Sequence, residues 1–167
     1  GTLRVETQGG GIRVSASADT VVRIKAKQKI RAASEADADE VLKKLDLAFE
    51  KNGNDVRVTA KYERRGMEFS FGSWPPVQVD FEISVPAGFA TDLHTSGGGI
   101  TVGDLDGKAN LRTSGGSITV GKMGGAVDAR GRRSGSFGSE PVARRGERWA
   151  RVDARLQRAP DVRRVGA

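Results

Sequence analysis

The chain has 167 residues, 23 of them glycine and none cysteine, with aromatics at 5%; this excludes a disulfide framework and thiolate chemistry and suits tight corners around a thin interior. The net charge of +7 is uneven: Ala126 onward holds eleven Arg, no Lys and five acids, against seventeen bases and sixteen acids before it. The body is therefore nearly neutral and the tail carries the charge. No apolar run approaches the length of a membrane-spanning helix and no signal peptide is seen. Because the chain opens on Gly rather than Met, a preceding segment carrying any targeting signal or anchor is expected.

In chain order, Thr7 to Val14 (TQGGGIRV) is a Gly-rich corner followed by a β-branched strand. Val22, Ile24, Ala26 and Ile30 then alternate with Arg23, Lys25, Lys27, Lys29 and Arg31, which predicts a strand with one apolar and one strongly basic side. Ser34 opens a capping-box-like SEAD, and Ala36, Ala38, Val41 and Leu42 extend a short helix to about Lys44. Leu45 to Lys51 and Asp55 to Tyr62 flank Asn52-Gly53-Asn54, a hairpin signal. Helix and hairpin, about residues 34–62, read as an excursion beside the main architecture, since parallel strands need no two-residue hairpin. Met67 to Phe71 and Val77 to Val85 are further strands, joined through a Ser73-Trp74-Pro75-Pro76 loop.

The most informative stretch follows. Thr95 to Arg112 (TSGGGITVGDLDGKANLR) and Thr113 to Arg130 (TSGGSITVGKMGGAVDAR) superpose eighteen residues apart, and Thr7 to Val14 is a third, shorter copy. A repeat with one corner and two strands per copy predicts an all-β fold, a β-solenoid of about eighteen-residue coils over residues 1–130. Alternation turns Ile100, Val102, Ala109 and Leu111 inward, with Ile118, Val120, Val127 and Ala129 stacked beneath them. Gly97, Gly98, Gly115 and Gly116 fall at corners, where positive φ is expected. Asp92, Asn110 and Asp128 form one outward column, and His94, Arg112 and Arg130 its neighbour.

The order TQGGGIRV, a helix-bearing insertion, a strand ending in Val85-Pro86, then TSGGGITV and TSGGSITV resembles the DUF4097 putative-adhesin family of bacterial β-strand repeat proteins over Gly1 to Arg130. The resemblance implies a non-enzymatic, exported or envelope-associated β-solenoid, adhesin-like, and supplies no catalytic residue.

Beyond Arg130 the repeat stops: where Thr-Ser-Gly-Gly is due, the chain reads Gly131-Arg132-Arg133-Ser134-Gly135. Residues 131–167 have the composition of GC-rich DNA translated in a shifted frame. Read as genuine protein, Ser139-Glu140-Pro141 starts a helix over about 140–157, with Val142, Trp149, Val152 and Leu156 on one face to cap the open end.

Candidate binding residues are the basic row Arg23, Lys25, Lys27, Lys29 and Arg31, suited to anionic polymers or membrane surfaces unless it only guards a strand edge, and Trp74, a loop aromatic beside prolines with Phe69 and Phe71 nearby. No aromatic interleaves the bases, which argues against a single-stranded nucleic-acid platform. Gly116 to Lys122 matches the first seven positions of a P-loop, but Met123 stands where Ser or Thr must bind Mg²⁺, so no nucleotide is expected. His94, the single histidine, has no His or Cys partner for a metal. The Asp92, Asn110 and Asp128 column could furnish acids for glycosidase chemistry, but reads better as a surface ladder. The expectation is a non-catalytic envelope surface, adhesin-like or scaffolding, without cofactor or metal, whose partner is an unidentified protein or envelope polymer. The alternative is electrostatic binding through the basic strand and Arg-rich tail.

Overall fold

In the computed structural model the described residues are 1–31, 34–62 and 77–131, together with the strand backbones Glu147–Ala154 and Arg163–Arg164. The strands are β1 (Thr2–Thr7), β2 (Ile12–Ser17), β3 (Val22–Ile30), β4 (Leu45–Asn52), β5 (Asp55–Tyr62), β6 (Val77–Pro86) and β7 (Ala90–Thr95). They continue as β8 (Ile100–Val102), β9 (Ala109–Thr113), β10 (Ile118–Val120), β11 (Val127–Gly131), β12 (Glu147–Ala154) and β13 (Arg163–Arg164). The helix α1 (Glu35–Lys43) is N-capped by Ser34, whose Oγ accepts from the Asp37 N–H at 3.2 Å. Its buried residue is Leu42, and the partly buried Val41 packs against the core.

The chain forms two sheets, ordered β11-β9-β7-β1-β5-β4-β13 and β10-β8-β2-β6-β3-β12. Strict alternation, as in β1, β5 and β6, turns one face of each inward. The two inner faces share one apolar cluster: Leu3, Val5, Val58, Leu93 and Leu111 from the first sheet lie with Ile12, Val14, Ile24, Phe81 and Ile100 from the second. The repeats behave as their spacing dictates, with β7, β9 and β11 parallel and in register, as are β2, β8 and β10.

The solenoid expectation is corrected. Among the described residues the fold is mostly β with one helix, built as two open mixed sheets rather than closed coils, because pairing beyond the repeats turns antiparallel. The β4–β5 hairpin is no excursion: its second strand pairs parallel with β1, Leu3 opposite Val56, and lengthens the first sheet. In the second sheet β3 runs antiparallel to both β6 and β12.

The expected cap helix is corrected over Glu147–Ala154, which is strand. Its apolar positions alternate as well as they share a helical face, and Ala150, Val152 and Ala154 fall opposite the buried Ala26, Ile24 and Val22. That strand also lies at the far edge of its sheet from β10. The rest of the expected helix lies outside the described residues, as do Met67 to Phe71, Trp74 and its loop.

Candidate functional site

The T-S-G-G signature has a structural cause that the sequence reading missed. Thr7, Thr95 and Thr113 stack in one column, all buried. The Thr95 hydroxyl donates to the Gly10 carbonyl at 2.9 Å and accepts from the Gly98 N–H at 3.2 Å. Thr113 repeats this one strand on, donating to Gly98 O at 2.8 Å and accepting from Gly116 N at 3.0 Å. Thr95 and Thr113 thus each tie their own corner to the preceding one, while Thr7, in the first copy, donates within its own corner to Gly9 O at 2.8 Å, and all satisfy backbone groups that strand pairing leaves over.

The glycines are required by crowding rather than by the expected positive φ, which among described glycines belongs to Gly10 (97°) and Gly53 (58°). A Cβ on Gly98 would fall onto the Gly10 carbonyl, and one on Gly116 onto the Gly98 carbonyl. Recurrence of Thr at the same place in all three copies was the signal available for this ladder.

Repeat stacking ends at β10 and β11, the terminal strands of the two sheets. Their inward rows continue those of the preceding strands, Ile118 beside Ile100 and Val127 beside Ala109, and among the described residues nothing covers them from beyond. Ile100 and Leu111 are fully buried, whereas Ile118 and Val120 are half-buried and Val127 is 43% exposed.

On the outer face of the seven-stranded sheet the predicted columns are present: Asp92, Asn110 and Asp128 in one, His94, Arg112 and Arg130 in the next. Arg4 joins the first, its Nε 3.1 Å from Asp92 Oδ2, while Asn110 Nδ2 donates to Asp92 Oδ1 at 3.1 Å. Arg130 pairs with Asp128 of its own strand at 3.3 Å. His94, Arg112, Thr113, Ser114, Arg130 and Gly131 line an open concavity of about 440 Å³. Arg112 and Arg130 are register partners on paired strands, which sets like charges side by side, with that of Arg130 offset by its pair with Asp128.

The basic row of β3 is less bare than its sequence suggests. Lys29 Nζ is 2.7 Å from Asp80 Oδ2, Arg23 pairs with Asp19, and Lys25 stands opposite Glu82 of β6. On the other side β12 puts Glu147 opposite Lys29 and Asp153 opposite Arg23, so β3 is an interior strand and its lysines guard no edge. Arg31 lies just past the strand, exposed. Asp80 is also structural, accepting the Gly11 N–H at 2.6 Å. In the P-loop-like segment, residues 118–120 are strand β10 and the Lys122 N–H donates to Asp104 Oδ1 at 2.7 Å, so no phosphate-cradling loop opens a helix there.

Among the described residues no helix is long and apolar enough to cross a membrane. No protein-family model matches the chain, so the DUF4097 resemblance rests on its motifs alone, and no curated protein matches either. A solved structure described as a "putative cell adhesion protein" from Clostridium sporogenes is similar to this chain at 12% identity and a TM-score of 0.44, covering 78% of this chain and 61% of its own. This chain therefore spans less than two thirds of the length of that protein.

Proposed function

We propose that the protein is a non-catalytic interaction module of the bacterial cell envelope, adhesin-like or scaffolding, of the kind the DUF4097 resemblance implies. The observation that supports this is the outer face of the seven-stranded sheet. Side chains from consecutive strands stand there in register, and acids and amides engage neighbours in exposed pairs such as Arg4–Asp92 and Lys61–Glu6. Such a surface suits contact over an area. Envelope location is part of this reading, and its partner is a protein or an envelope polymer.

A second reading, electrostatic binding of an anionic polymer, is favoured by the placing of Arg112 and Arg130 beside His94 around one concavity more than by the counter-charged β3 row. Co-sedimentation of the full chain with isolated bacterial envelopes at about 0.05 M and 0.5 M NaCl separates the two, since the Debye length falls from ~14 Å to ~4 Å between them. Retention at high salt supports the area contact. Loss at high salt, with matching weakening in Arg112→Ala/Arg130→Ala, supports the polyanion. No sedimentation at either salt defeats both.

A further inference from the structure

We propose that the open end formed by β10 and β11 is the interface with a second copy of this chain, joined edge to edge about a two-fold axis through Ala129. The inference stands apart from the envelope reading, although a dimer would present two outer faces together.

Backbone parity comes first. Ala109 donates its N–H to Ala126 O at 2.9 Å, so on β9 the residues Ala109 and Leu111 direct their backbone groups towards β11. By the same parity Val127, Ala129 and Gly131 direct theirs away from β9, into the free edge. In the other sheet Ile100 N–H reaches Ser117 O at 2.8 Å and Gly121 N–H reaches Val102 O at 2.8 Å. The corresponding groups of Ile118 and Val120 therefore point outward from β10. Two edges in two sheets end on the same side of the molecule with donors and acceptors unpaired among the described residues, and an end of this kind is a template for another chain.

Charge then selects the occupant and the register. The last strand reads Val127-Asp128-Ala129-Arg130-Gly131. Paired antiparallel with its own copy, it has three central two-fold registers. Centred on Asp128, carboxylate faces carboxylate; centred on Arg130, guanidinium faces guanidinium. Centred on Ala129, Asp128 of each copy faces Arg130 of the other, and Val127, Ala129 and Gly131 form the hydrogen-bonded pairs that parity demands. The edge is thus complementary to itself, as an isologous contact requires. The same contact would cover the apolar end, where Ile118, Val120 and Met123 are only partly buried and Val127 is exposed.

The test uses the full chain in sedimentation velocity across a concentration series, with Asp128→Arg, Arg130→Asp and the double exchange. Asp128 and Arg130 side chains are 54% and 69% exposed, so the exchanges leave the core intact, and an unchanged thermal midpoint checks this. The expected result is a concentration-dependent species of twice 17.7 kDa. Each single exchange should weaken it about tenfold or more, because symmetry turns both contacts repulsive, and the double exchange should restore it. An equimolar mixture of the two single variants should form a heterodimer while neither forms a homodimer. A monomer at every concentration overturns the inference, whether the chain's own C-terminal residues cover the edge or nothing does. A dimer indifferent to the exchanges overturns it too. A monomer that still sediments with envelopes at high salt removes the dimer and leaves the envelope reading standing.

Discussion

Replacing threonine with valine at two places on the same strand should have opposite effects. Thr91 and Thr95 both lie on β7, both face inward and are buried, at 3% and 0% exposure. The Thr95 hydroxyl makes two hydrogen bonds, to Gly10 O and from Gly98 N, whereas the Thr91 hydroxyl has no partner among the described residues. Valine has nearly the same shape, so packing changes little in either case. At Thr95 the loss is two net hydrogen bonds at about 1 kcal/mol each, plus the desolvation of a stranded carbonyl, about 2–4 kcal/mol in all. At Thr91 an unpaired buried hydroxyl becomes a methyl, which should be neutral or stabilise by ~1 kcal/mol. Urea denaturation at constant slope would measure both, with the Thr95 variant melting about 5–12 °C lower for a chain of this size. Thr95→Ser, which keeps the hydroxyl, should lose only ~1 kcal/mol. If Thr95→Val proves no worse than Thr91→Val, the threonine column does not tie the corners together and the explanation of the T-S-G-G signature fails.

Glycine substitutions should sort by crowding. Gly98→Ala forces a methyl onto the Gly10 carbonyl and should cost more than ~3 kcal/mol or abolish folding, while Gly88→Ala, with nothing within 4 Å, should lie within about 0.5 kcal/mol of the parent in the same denaturation assay. Truncations should report the open end: Leu111→Ala, fully buried, should cost about 2–5 kcal/mol, and Val127→Ala on the last strand less than ~1 kcal/mol. Equal losses at the two positions would mean that the end is covered. Ser34→Ala should lower stability by about 0.5–2 kcal/mol through loss of the α1 cap, a change in helix signal by circular dichroism being the check.

Local and repeating features were legible in the residues. The eighteen-residue spacing placed Asp92, Asn110 and Asp128 in one column and His94, Arg112 and Arg130 in the next, because parallel in-register strands turn a sequence period directly into a spatial one. The α1 cap at Ser34 and the hairpin at Gly53 were equally readable, since each depends on a few adjacent residues.

What the residues left open was the choice of neighbour. Period-two alternation says that a strand is half-buried, not which strand lies beside it, so nothing in Asp55 to Tyr62 announces a parallel partner in β1. The basic row of β3 looked like an anion-binding stripe because the acids facing it, Asp80 and Glu82, come from β6, more than fifty residues away in sequence. Glu147–Ala154 fits a helix or a strand, and only the row of Val22, Ile24 and Ala26 opposite decides for the strand. The sequence by itself determined the repeat, its register and the places of its corners, whereas the hydrogen bonds and close approaches that make those corners need threonine and glycine join residues as far apart as Gly10 and Thr95. Tertiary structure decided that the repeats lie within two mixed sheets and, among the described residues, end in an open edge, because strand partnership is settled by burying apolar faces that lie far apart along the chain.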